Sequence, residues 1–190
     1  MNKWKVAFLI LAGAIILAVA GLFYYATADV EQAVIQDPVF PKGNVLKVET
    51  TAKEFEAIAK KYLGDELKKT PIQLEMAIED KIYLYTTLTV FNVEFPIQLD
   101  YDPIVKNGNI ILKQTAIHVG EKNISPKAVL KLIDGNVDFP PWITVQPNDE
   151  QIFVDLSLIN IASGSRVRAK EIDLANDKIL LEVIIPNDKK

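Results

Sequence analysis

The chain has 190 residues, with 21 Lys+Arg against 25 Asp+Glu, one histidine and no cysteine. The missing thiols exclude disulfides, zinc–thiolate sites and cysteine nucleophiles, so any domain here is held by packing alone. A net charge of −4, with Arg166 and Arg168 as the only arginines, offers no basic face for nucleic-acid phosphates.

The first predicted element decides where the rest of the chain lives. Val6 to Ala26, VAFLILAGAIILAVAGLFYYA, is a run of 21 uncharged residues that at about 1.5 Å each makes a helix of roughly 32 Å, the thickness of a bilayer's hydrocarbon core. A soluble core helix needs a polar stripe toward water, and this run has none. Lys3 and Lys5 precede it and Asp29 and Glu31 follow it, so the positive-inside bias predicts a cytoplasmic tail over residues 1–5 and an extracytoplasmic remainder. Trp4, Tyr24 and Tyr25 fall at the two interfaces, where aromatic rings favour the headgroup layer. Ala26-Thr27-Ala28 supplies a small-x-small cleavage site, but secretory apolar regions run to about 7–15 residues, so this longer run predicts an uncleaved transmembrane helix over 6–26.

Residues 27–44 read as a neck, in which Asp29 to Gln36 extend the helix by two turns until Asp37-Pro38 and Phe40-Pro41 break it. The extracytoplasmic domain then covers 45–190, room for one core and not two. Leu46, Val48 and Thr50 alternate as a short strand. Thr51-Ala52-Lys53-Glu54 is a capping box opening a helix with Phe55, Ile58, Ala59, Tyr62 and Leu63 on one stripe and Gly64 as its stop. From Ile72 the period becomes two, predicting strands at 72–78, 82–91, 95–101 and 110–119, with a connection from Asp102-Pro103 to Asn107-Gly108. Ser125-Pro126 opens a short helix carrying Val129, Leu130 and Ile133 that stops before Gly135. Four more strands are predicted at 142–146, 152–159, 166–174 and 179–185. The order helix-then-four-strands thus occurs over 51–119 and again over 125–185, the pattern of an internal duplication.

Several strands are apolar on both faces, as in IYLYTTLTVF at 82–91 and ILLEVII at 179–185, whereas an antiparallel sheet normally solvates one face. Two short helices do not cover about eight strands spaced at about 4.8 Å. The expected fold is therefore α+β, a curved antiparallel sheet packed around one longer and one shorter helix. Its apolar surface is expected either to close on itself as an ordinary core, to dock on a partner, or to leave a groove lined by Tyr62, Tyr83, Tyr85, Phe91, Trp142 and Phe153.

Signals for chemistry are sparse. His118 sits in a strand with nothing marking a partner, and Ser163-Gly164-Ser165 lacks the flanks of a nucleophile elbow and reads as a turn. Asp100, Asp102, Asn107 and Asn109 offer oxygens without EF-hand spacing, so ending a strand is their expected role. Arg166, Arg168 and Lys170 alternate along one strand and present a basic row suited to lipid or teichoic-acid phosphates, unless that row is simply a solvated face. No catalytic residue, metal or cofactor is predicted, and the chain is not read as an enzyme.

The two-lysine tail, the apolar span, the helix ending in KKYLG, the stretch PIQLDYDPIVKNGNIILK, the helix start ISPKAVLKLI and FPPWITVQPNDEQIFVDLSL together resemble the YpmS family of single-span membrane proteins from Gram-positive bacteria. The resemblance covers nearly the whole chain and implies an extracytoplasmic domain, but no reaction and no site residue. The order of elements is also similar to that of tubular lipid-binding domains, a likeness at the level of fold alone. The expected function is a membrane-anchored envelope protein that binds a lipid or other amphiphile. The alternative is a ligand-free module that positions a neighbouring envelope enzyme.

Overall fold

The computed structural model describes residues 3–31, 35, 37–67, 74–90, 93–119, 125–159, 161 and 164–187. The chain divides at Glu31/Gln32 into two units. The first is a single helix, α1 (Lys3–Thr27), of which Lys3–Tyr25 is long and apolar enough to cross a membrane by length and composition, a test that a signal sequence passes equally. The helix ends at Thr27 and does not continue into the neck: Asp29 to Glu31 and Ile35 lie outside any helix, while residues 32–34 and 36 fall outside the described residues. Asp29 and Glu31 would sit at the negative end of the helix dipole, which opposes continuation there.

Among the described residues the second unit holds two α-helices, α2 (Ala52–Leu67) and α3 (Pro126–Asn136), and nine strands. These are β1 (Gly43–Thr50), β2 (Leu74–Ile78), β3 (Ile82–Val90), β4 (Val93–Lys106), β5 (Asn109–Val119), β6 (Ile143–Gln146), β7 (Gln151–Val154), β8 (Arg166–Asp173) and β9 (Lys178–Pro186). They form not one curved sheet but two antiparallel sheets, ordered β2-β3-β4-β5-β7-β6 and β1-β9-β8. The division arises at Asp155. The strand predicted over 152–159 stops at Val154, because the Asp155 carboxylate accepts Ser157 N–H at 2.9 Å and opens a 3-10 turn over Leu156–Leu158, an aspartate-capped turn that competes with strand geometry. The helix-plus-four-strand order does recur, but the strands pair differently: β2 to β5 form one meander, whereas β6–β7 and β8–β9 belong to different sheets.

Local signals explain most boundaries. Thr51 Oγ1 accepts Glu54 N–H at 3.3 Å and Glu54 Oε2 accepts Thr51 N–H at 3.2 Å, the reciprocal capping box; the Thr51 N–H bond, with the Thr50 hydroxyl at 3.0 Å, holds the Glu54 carboxyl below its ordinary pKa. The glycines expected to stop the two helices do not: α2 passes through Gly64 and α3 through Gly135. The predicted connection at 102–106 is strand, since β4 runs unbroken through Pro96 and Pro103. Among the described residues Pro96 pairs with Thr87 of β3 alone, and Pro103 with Leu112 of β5 alone, positions at which a missing N–H need not cost a ladder bond. Asn107 and Gly108, both at positive φ (51° and 84°), make the two-residue hairpin turn.

The main core gathers Ile82, Leu84, Ile97, Leu99, Tyr101, Val119 and Ile152 with Val129, Leu130 and Ile133 of α3. A second cluster, Ile110, Leu156 and Ala169 with Val105, Val167 and Leu181, joins the tip of the β4–β5 hairpin to the smaller sheet, and Phe55 of α2 packs against both. Ala169 N–H donates to Gly108 O at 2.8 Å across this junction. Asn109, fully buried, accepts Leu156 N–H at 3.0 Å and so serves the fold. Tyr101 and Gln114 lie opposite each other in the β4–β5 ladder, and neither the phenol oxygen nor the amide has a hydrogen-bond partner among the described residues.

Candidate functional site on the outer face of the large sheet

Opposed residues of an antiparallel pair share a face, and the register builds one polar-aromatic row across four strands: Glu75 faces Tyr85, Tyr85 faces Gln98, and Gln98 faces His118. Two residues along, Tyr83 faces Asp100 on the same side. The opposite face of these strands carries Leu84, Ile97 and Leu99, which are buried. The sheet therefore does solvate one side. The apparent second apolar face of β3 is Tyr83, half-buried, and Tyr85, 38% exposed; the rings stack on each other with centroids 6.4 Å apart and planes at 26°. Phenols that present an apolar body and a polar tip need no cover.

Asp100 is the fixed point of the site. It is buried, its Oδ1 accepts Gln98 Nε2–H at 2.8 Å, and its Oδ2 lies 3.2 Å from His118 Nε2. A carboxylate only accepts, so the imidazole donates from Nε2. The ladder shifts by one residue beside Asp100, which pairs with Ala116 while Tyr101 pairs with Gln114. Thr115, left over at this bulge, donates its hydroxyl to Asp100 O at 3.2 Å and accepts Lys81 Nζ at 3.0 Å. Lys81 in turn lies 3.3 Å from Asp102. The Tyr83 hydroxyl donates to Asp80 at 2.7 Å, and that bond pushes its pKa up to about 12. An open depression of about 420 Å³ is bounded by Glu75, Tyr85, Thr87, Pro96, Gln98 and His118. Its walls offer an aromatic face, a carboxylate, an amide and an imidazole, a set able to hydrogen-bond a polar group.

The residues expected to line an apolar groove do not assemble into one surface. Tyr83 and Tyr85 meet; Tyr62 stands on α2, 47% exposed; Phe153 is buried in β7 opposite Ile111 and Thr144. Trp142 is half-buried ahead of β6, its carbonyl accepting Asp155 N–H at 2.7 Å, and Phe91 lies outside the described residues. The basic row is also interrupted. Arg168 Nε donates to the buried Glu182 at 2.6 Å, Arg166 donates to Ser165 O at 3.4 Å, and Lys170 is the extra residue where the β8–β9 ladder slips. Gln98, Asp100 and His118 carry the site instead, and only the strand register reveals them. Among the described residues no group of three or more His, Asp or Glu side chains is placed to hold a metal ion.

The described chain is thus an apolar N-terminal helix and an antiparallel α+β domain with a polar-aromatic sheet face. The chain belongs to the family described as "Uncharacterized protein conserved in bacteria (DUF2140)", which it matches over residues 2–185. It is 28% identical over 180 residues, 94% of this chain and 95% of the relative, to "Uncharacterized protein YpmS" of Bacillus subtilis (strain 168). No solved structure matches.

Proposed function

We propose that the protein is a membrane-anchored component of the cell envelope whose domain stands on the extracytoplasmic side and binds an amphiphile by its polar head. The observation that carries this reading is the stacked Tyr83–Tyr85 pair beside the in-register row Glu75, Tyr85, Gln98 and His118, open to solvent around a depression of headgroup size. Lys3–Tyr25 supports the anchor, and Lys3 and Lys5 on one side of it with Asp29 and Glu31 on the other support the orientation. The reading assigns no catalytic step.

Two measurements test it. Because the chain has no cysteine, Thr87→Cys on the exposed sheet face reports orientation: a membrane-impermeant maleimide added to intact cells labels it if the domain is outside, and fails to label it if the reading is wrong. Native mass spectrometry of the detergent-extracted chain is expected to find a co-purifying lipid that is lost in Tyr85→Ala. Equal lipid content in both proteins, or none in either, removes the amphiphile.

A second reading, a ligand-free module that positions a neighbouring envelope enzyme, is favoured by Ile58 and Tyr62, one turn apart on α2 and 50% and 47% exposed. A photo-crosslinker at Ile58 that captures no other envelope protein in cells counts against it.

A further inference from the structure

β1 is the outer strand of the smaller sheet, with β9 as its strand neighbour on one side and none on the other among the described residues. It is exposed on both faces, Leu46 at 56%, Val45 at 47% and Val48 at 36%. Leu46 and Val48 lie opposite Val183 and Leu181, so they prolong the apolar face on which Val167, Ala169 and Leu181 pack in the second cluster. Unpaired backbone groups bordered by apolar side chains are a template for another strand, and proteins commonly block such an edge with a lysine. Lys47 occupies that position here, but Glu49 lies two residues along on the same face.

We propose that β1 pairs antiparallel with β1 of a second copy of this chain, about a twofold axis through Val48. A twofold axis between adjacent antiparallel strands stands perpendicular to the sheet, so every such register is centred on a residue. Centred on Lys47 or on Glu49, it sets like charges directly opposite each other, which is unfavourable. Centred on Leu46, it sets Lys47 against Val45 and Glu49 against Gly43, matching neither charge. Centred on Val48, it sets Lys47 of each copy opposite Glu49 of the other, and Leu46 opposite Thr50. Two three-stranded sheets then run on as one, and the open edge disappears. A strand pairing this short buries less than the roughly 1,200–2,000 Å² of a stable complex. Its strength, though not its register, therefore rests on two chains sharing one bilayer, as the anchoring proposed above provides.

The cysteine-free background supplies the test. In the full chain, in membranes of the expressing cells, Val48→Cys places two thiols on the axis at the roughly 4.5–5.5 Å Cα spacing of opposed residues, within disulfide reach. Mild oxidation is expected to turn most of the protein into a covalent dimer. Leu46→Cys sets the thiols about 13 Å apart along the strands and is expected to remain monomeric. In the Val48→Cys background, Lys47→Glu is expected to lower the dimer yield at least fivefold, and adding Glu49→Lys to restore it. Equal yields at positions 46 and 48 overturn the proposal whatever the charge variants do. So do failure of the double exchange to rescue a Lys47→Glu chain of unchanged circular dichroism, and a Val48→Cys adduct with a different protein.

Discussion

Asp100 and His118 meet diagonally across neighbouring strands, Oδ2 to Nε2 at 3.2 Å, with the carboxylate side chain 12% exposed and the imidazole 58% exposed. The asymmetry sets their roles. Asp100 is built into the sheet, held also by Gln98 and Thr115, and it aims a ring that remains available to a ligand.

Removing the buried member strands donors that have lost their acceptor. Asp100→Ala is expected to lower the unfolding free energy by about 1–3 kcal/mol, because it removes the charged acceptor to which Gln98 and His118 donate. His118→Ala, at an exposed ring, is expected to cost less than about 1 kcal/mol. Urea titration of the detergent-solubilised chain, followed by far-UV circular dichroism, compares the two. Equal losses would mean that Asp100 is not the fixed point.

Arg168 acts on the fold before any phosphate. Its partner Glu182 is 5% exposed, and breaking a buried pair leaves a charge without compensation, a loss of about 3–5 kcal/mol when both groups are buried. With the arginine side chain 36% exposed, solvent screens part of this, and Arg168→Ala is expected to cost about 1–3 kcal/mol. Replacing Glu182 by Gln together with Arg168→Met should recover much of the loss in the same titration.

Tyr101 gives a pH dependence with a definite sign. Burial pushes its phenol well above the ordinary value near 10, so the folded state holds the proton more tightly than the unfolded state does. That contribution is fully present below pH 10 and is lost as the pH rises from there toward the folded value. Tyr101→Phe should flatten the alkaline fall in stability between about pH 10 and 11. At neutral pH the substitution should cost little, because the hydroxyl it removes has no partner among the described residues.

Gly108 combines two constraints. Its φ is +84°, and an added Cβ would lie 2.9 Å from the Phe40 ring and 3.0 Å from Arg168 Cβ. Gly108→Ala is expected to cost about 1–3 kcal/mol through backbone strain and this crowding. Asn107→Gly, which relaxes the neighbouring positive φ without adding atoms, should fall within about 0.5 kcal/mol of the native chain.

What the sequence makes legible is what short-range chemistry decides. Thr51 and Glu54 announce a cap because both partners are three residues apart, and Asn107-Gly108 announces a hairpin because two consecutive positive φ angles demand such residues. Pro103 misleads, since a proline at a position with one neighbouring strand costs the ladder nothing, and only the pairing of β4 shows that it has one. Gly64 and Gly135 mislead for the converse reason: a glycine merely weakens a helix, and both helices continue past theirs. The two tyrosines of β3 are read as apolar by composition, yet they stand on the solvated side of the sheet. The Asp100–His118 pairing depends on a bulge that moves Thr115 out of register, and nothing local in that stretch marks it. Likewise the basic alternation at 166–170 is visible, but the commitment of Arg168 to Glu182 belongs to the β8–β9 ladder.

The pairing of β1 with β9, Gly43 opposite Pro186 and Thr50 opposite Ile179, joins the first strand of the domain to the last. During synthesis β1 emerges more than a hundred residues ahead of its mate, so the smaller sheet cannot close until β9 has appeared as well. Contacts so distant along the chain form slowly, and until they do, a nascent β1 presents its apolar side chains to whatever is nearby. A protein cut short before β9 would be expected to keep most of the six-stranded sheet while leaving β1 without a home, and quality-control proteases would meet that strand first.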